Sequence, residues 1–135
     1  MRTVRDLMTE DVTTVRRHEG MDKVHDLMIS LDVRHMPVVD DEDELVGIIS
    51  DRDVIGLLGR LRREAFDEQA DALAGTLAGD VMTASPTTIE PDAGIDTAAQ
   101  LLRENKLGSL LVVEGRHLVG ILTEADFVLH VAEGN

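Results

Sequence analysis

Leu45-Val46-Gly47-Ile48-Ile49-Ser50-Asp51-Arg52-Asp53 occurs a second time, as Leu118-Val119-Gly120-Ile121-Leu122-Thr123-Glu124-Ala125-Asp126. Both stretches end in a hydroxyl, two further residues and an aspartate, and a match of this length marks two copies of one structural unit. Upstream the copies stay in step. Asp6-Leu7-Met8-Thr9 answers Asp80-Val81-Met82-Thr83 at an offset of 74 residues, and Thr13-Thr14-Val15 answers Thr87-Thr88-Ile89. Gly20-Met21-Asp22 answers Gly94-Ile95-Asp96, and Leu27-Met28 answers Leu101-Leu102; one residue is then lost in a turn and the offset becomes 73.

Within a copy the apolar spacing orders the elements. Met21, Val24, Leu27, Met28 and Leu31 share one helical face, as do Ile95, Ala98, Leu101 and Leu102, and the two methionines read as core. Next comes an apolar run (Met36 to Val39; Leu110 to Val113), an acidic or glycine-containing turn, and a second apolar run closing at Ser50 or Thr123. That pattern predicts an antiparallel hairpin. A second helix is expected from Asp51 and from Glu124, which makes each copy strand, helix, strand, strand, helix. Two short sheets with helices on one face each need another surface, and the other copy is the obvious one. The expected fold is therefore α/β (α+β), a pseudo-twofold pair of half-domains at 1–60 and 78–135, joined by a helical linker at 61–77.

Composition removes several functions. The chain has 135 residues, 27 acids against 13 Lys plus Arg, a formal charge of -14 and no Cys, Trp or Tyr. Its field repels phosphate backbones, so nucleic acid is not an expected partner. Without cysteine there is no disulfide, thiol nucleophile or thiolate metal site. The amino terminus carries no signal-type apolar stretch and no run is long enough for a membrane span, so a soluble, cytoplasmic protein is expected.

The hydroxyl-to-aspartate ends, Ser50 with Asp53 and Thr123 with Asp126, admit two readings. A Ser or Thr followed three residues later by an acid is a helix cap. A helix start also offers free amides and a positive dipole end, with an aspartate placed to accept ribose hydroxyls. Both hold together.

With its Met-Thr pairs (Met8-Thr9, Met82-Thr83), its hairpins (Met36-Pro37-Val38-Val39-Asp40 and Gly108 to Val113) and the two strands quoted first, the chain resembles the tandem cystathionine-beta-synthase-type repeat, the CBS domain pair or Bateman module. The resemblance covers almost the whole chain apart from the linker and the last few residues. It implies a non-enzymatic regulatory module whose clefts between the repeats bind an adenosine-containing ligand, AMP, ADP, ATP or S-adenosylmethionine, and which acts on an effector protein in trans. It further implies ribose contacts from Ser50, Asp53, Thr123 and Asp126. The base is expected against Thr13, Thr14 and Val15 or against Thr87, Thr88 and Ile89, held by aliphatic rather than aromatic groups, since Phe66 and Phe127 are the only aromatics. Phosphates need cations, and Arg34, His35 and Arg52 stand where the second copy has Gly108, Ser109 and Ala125. By the resemblance Arg34 and His35 face the ribose site of the other repeat, at Asp126, which makes the clefts unequal and sensitive to pH between about 6 and 7. The bland alternative leaves both as solvated residues.

Other constellations carry less. Asp40-Asp41-Glu42-Asp43-Glu44 lacks the glycine and spacing of a calcium loop and reads as a solvated turn. The five histidines show no helical ligand pair, Asp22 and Asp26 form a water-facing stripe, and no catalytic triad can be assembled, so neither metal ligands nor catalytic residues are expected. The helices after each hairpin (Val54, Leu57, Leu58; Phe127, Val128, Val131) carry apolar faces that predict a flat homodimer. The rival function is a constitutive dimerisation scaffold without a physiological ligand, its hydroxyl-to-aspartate motifs serving only as caps.

Overall fold

The computed structural model describes residues 2–62, 66–105 and 107–132, with the side chains of 66, 67, 131 and 132 excepted, so Phe66 and Val131 lie outside what can be assigned. The chain forms a mixed α/β structure that divides into two compact units. One is contiguous, Thr13–Pro86; the other is built from two segments, Met1–Val12 and Thr87–Asn135.

In the contiguous unit, β1 (Val15–Arg16), α2 (Met21–Leu31), β2 (His35–Val39), β3 (Leu45–Ser50) and α3 (Asp51–Leu61) follow the order read from the repeat, and α1 (Val4–Leu7) precedes them in the other unit. The chain continues through α4 (Phe66–Gly75), α5 (Ala78–Val81) and β4 (Thr83–Ala84), closing a sheet of order β1-β2-β3-β4. β1 runs parallel to β2, with Val15 beside Val38, and β2 runs antiparallel to β3, with His35 opposite Ser50. Met36, Val38 and Ile49 meet Met21, Val24, Met28, Val54 and Leu57 in one core, where side-chain burial supplies the dominant driving force. Leu31 departs from the expected stripe and is 46% exposed. The helix ends at Asp32 in a left-handed conformation (φ 53°), and Leu31 turns outward in that last turn.

The expected linker has a packing role. Leu73 of α4 rests against the core of the contiguous unit, Met21 donates its N–H to the Thr76 carbonyl at 2.8 Å, and a Cβ at Gly20 would come within 2.6 Å of the Ala74 carbonyl oxygen. A residue larger than glycine there would push α4 off α2.

The two-segment unit repeats the plan with β5 (Thr88–Ile89), α6 (Ile95–Glu104), β6 (Ser109–Glu114), β7 (His117–Thr123) and α7 (Glu124–Ala132), its sheet ordered β5-β6-β7. Even the ladder irregularity recurs, between Val38 and Val39 in one hairpin and between Val112 and Val113 in the other. Val4, fully buried, joins Leu110, Val112 and Leu122 in the core of this unit, although it begins the first copy. In the same way Ala78 begins the second copy and is buried in the core of the contiguous unit. Each copy therefore lends its leading segment to the unit formed by the other.

The apolar faces after the hairpins also differ from expectation. Val54 and Leu57 are buried within their own unit; the exposed apolar side chains are Ile55 (66%) on α3 and Val128 (68%) and Leu129 (59%) on α7. Among the described residues no helix is long and apolar enough to cross a membrane.

Candidate functional site

Ser50 caps α3. Its hydroxyl accepts from the Asp53 N–H at 3.3 Å, while Asp53 Oδ2 accepts from the Ser50 N–H at 2.8 Å and from the Ser50 hydroxyl at 3.1 Å. At α7 the Thr123 N–H and hydroxyl donate to Asp126 Oδ2 at 2.8 and 3.3 Å. The same geometry recurs at Thr3, whose N–H donates to Asp6 Oδ2 at 2.8 Å ahead of α1. The reciprocal cap is complete at Ser50, and at Thr123 the acid reaches back in the same way, which leaves each carboxylate a second oxygen for other donors.

The sheets bring the expected base and ribose positions to common ends. Because β1 is parallel to β2, Thr13 and Thr14 enter at the end where β2 begins, and Ser50 sits at that end opposite His35. In the other unit Thr87 and Thr88 enter beside the start of β6, where Ser109 faces Thr123. Val15 and Ile89 turn their side chains into the two cores, so the threonines and the main chain supply the outward-facing groups.

The cations gather in the contiguous unit. Arg34 is exposed and accepts the Asp51 N–H on its carbonyl at 2.9 Å, and Arg52 is exposed on the first turn of α3. The expectation that Arg34 and His35 serve Asp126 concerns residues of two different units; within their own unit both neighbour Ser50. His35 is half-buried, and desolvation holds its pKa below the usual histidine range, with Asp51 opposing and Arg34 reinforcing the depression. Its charge therefore appears at more acidic pH than the window of about 6 to 7 expected from an unperturbed ring.

Sequence reasoning missed what the Met-Thr pairs do. A Cβ at Gly120 would lie 2.5 Å from Met8 Sδ, and one at Gly47 would lie 2.4 Å from Met82 Sδ, so each methionine lies flat on the glycine of the other copy's hairpin. The available signal was glycine inside an apolar strand, which marks a close approach. The acidic turn is organised by its own hydrogen bonds and by arginine: Asp40 Oδ1 accepts the N–H groups of Glu42 and Glu44, and Arg16 reaches the Asp40 carbonyl at 2.8 Å and Asp43 at 3.0 Å. Among the described residues no cluster of three or more His, Asp or Glu side chains is placed to hold a metal ion. A pocket lined by Ala99, Leu102, Arg103, Glu124 and Phe127 lies between α6 and α7, outside the Thr123 and Asp126 hydrogen bonds.

Residues 4–60 and 78–133 each match the family model of the CBS domain. The chain is a tandem CBS-domain protein. Hypoxic response protein 1 of Mycobacterium tuberculosis is 33% identical, over 98% of this chain and 87% of its own length. The crystal structure of CBSX2 of Arabidopsis thaliana in complex with AMP superposes with a TM-score of 0.83 at 32% identity, covering 98% of each chain. A crystal structure of hypoxic response protein I with two coordinated zinc ions gives 0.78 at 27% identity, over 96% of this CBS pair and 98% of that chain.

Proposed function

We propose that this CBS pair is a non-enzymatic regulatory module that binds an adenosine-containing ligand, AMP before ADP, ATP or S-adenosylmethionine, and relays its occupancy to a partner protein. Ser50 with Asp53 and Thr123 with Asp126 take the ribose, Thr13, Thr14, Thr87 and Thr88 with the main chain through Val15 and Ile89 flank the base, and Arg34, His35 and Arg52 meet phosphate. The carrying observation is that each hydroxyl-to-aspartate helix start shares one sheet end with its own copy's threonine pair. The similarity to CBSX2, crystallised with AMP, supports the ligand class. A switch of this kind works only through a ligand that binds two states of the module with different affinity.

The test is a thermal-shift panel with adenosine, AMP, ADP, ATP and S-adenosylmethionine. A ligand present at a hundred times its dissociation constant should stabilise by about 2.7 kcal/mol. In the free protein the depressed His35 pKa contributes stability above the ordinary histidine range, about 6.5, that is lost as pH falls through it. A phosphate beside the ring offsets the cost of its charge, so AMP binding takes up a proton. Relative to His35→Gln, AMP affinity should rise as pH falls below about 6.5 while adenosine affinity does not. A flat panel returns the motifs to capping and favours the scaffold.

We further propose that this CBS pair is a homodimer to which the exposed Val128 and Leu129 of α7 contribute, because adjacent exposed apolar groups of this size favour association. Sedimentation should show a dimer for the parent and a monomer for Val128→Asp; a monomeric parent at high micromolar concentration overturns this.

A further inference from the structure

Asp126 is engaged on both oxygens. Oδ2 accepts the Thr123 N–H and hydroxyl, and Oδ1 accepts the Thr9 hydroxyl at 3.2 Å. Thr9 is pinned for this by its main chain, which donates to the Ile121 carbonyl at 2.8 Å and accepts the Ile121 N–H at 3.0 Å. The repeat sets Thr83 in the equivalent place, opposite Ile48 and two residues ahead of Ser50, as Ile121 is two ahead of Thr123. Among the described residues, however, no hydrogen bond joins Thr83 to Asp53, and Asp53 Oδ1 accepts none.

A carboxylate offers about four acceptor sites on its two oxygens, so each site already taken is one fewer for the adjacent hydroxyls of a ribose. We propose that the Thr9 hydroxyl is a built-in competitor for the Asp126 carboxylate, so that the Ser50–Asp53 start takes a nucleoside first and the Thr123–Asp126 start takes one only when Thr9 releases it. This rests on the nucleoside reading above. Displacing Thr9 leaves its hydroxyl to water, and the bond is exposed, so the handicap is modest, about two- to fivefold in affinity. Thr9 is a positioning residue for the site.

Adenosine, which carries no phosphate, is the probe, titrated by calorimetry into the full chain carrying Asp53→Asn to isolate the second start. Thr9→Val should tighten binding about two- to fivefold, and Thr83→Val should leave it unchanged. A ligand-free arm compares Thr9→Val, Asp126→Ala and the double variant by urea unfolding, where the pair should couple by about twofold or more in the equilibrium constant. Weaker adenosine binding in Thr9→Val makes the threonine a ligand contact and overturns the competition. Unchanged binding with coupling intact overturns the competition while the nucleoside reading stands. Coupling without adenosine binding in any variant overturns both, and absence of coupling overturns the latch itself.

Discussion

Val4→Asp should destabilise the two-segment unit by about 4 kcal/mol, the range reached when an unpaired charge replaces a fully buried apolar group. Val4 is 0% exposed, its N–H donates to the Ala93 carbonyl at 2.9 Å, and Leu7 and Met8 pack around the same core. Hydrogen exchange should report the damage far along the chain, in β5, α6, β6 and β7, while amides of β2 and β3 keep their protection. Ala78→Asp should produce the reverse, loosening β2, β3 and α2 although it opens the second copy. Loss of protection in residues 13–62 in response to Val4→Asp would contradict the exchange of leading segments.

If the two carboxylates take the ribose as proposed, Asp53→Ala and Asp126→Ala should each remove those contacts at one helix start. Hydrogen bonds to charged groups contribute about 1.5–3 kcal/mol, so adenosine and AMP should both weaken roughly ten- to a hundredfold at that start. The loss of the acid's bond back to the helix start costs stability and no ligand discrimination, so a variant that melts earlier yet binds unchanged has lost only that bond. If the guanidinium meets only phosphate, as proposed, Arg34→Ala should weaken AMP by a similar factor and leave adenosine alone. Pairing it with each aspartate variant in calorimetry reveals which ribose the arginine accompanies. Equal losses for AMP and adenosine in Arg34→Ala would remove the arginine from the phosphate contacts.

Much of this was legible because the relevant signals are local. Ser50 and Thr123 close apolar runs and open amphipathic ones three residues before an acid, and both helices start one residue later, at Asp51 and Glu124. The exchange of leading segments was not legible, for a physical reason. Met8 would fit the glycine of Leu45-Val46-Gly47-Ile48 as well as that of Leu118-Val119-Gly120-Ile121, since the two strands offer nearly identical surfaces, and side-chain pattern cannot choose between them. Periodicity likewise identified apolar stripes on α3 and α7 without telling which members the unit already covers, so Val54 proved internal and Ile55 exposed. The Thr9 contact to Asp126 joins residues 117 positions apart, and no spacing rule reaches that far.

The interleaved assembly of the two units also sets an order in time. Residues 13–86 contain everything their own sheet and core require, so that unit can close as soon as its last strand, Thr83–Ala84, has left the ribosome. Residues 2–12 are synthesised earlier still, yet the strand that carries Gly120 does not exist until synthesis has passed the second hairpin. Until then Val4, Leu7 and Met8 lack the strands whose core they join. In the folded chain Met82 occupies Gly47 from within the same unit, and Met8 occupies Gly120. Seating Met8 on the strand of Gly120 is then a long loop closure, the kind of sequence-distant contact that slows folding.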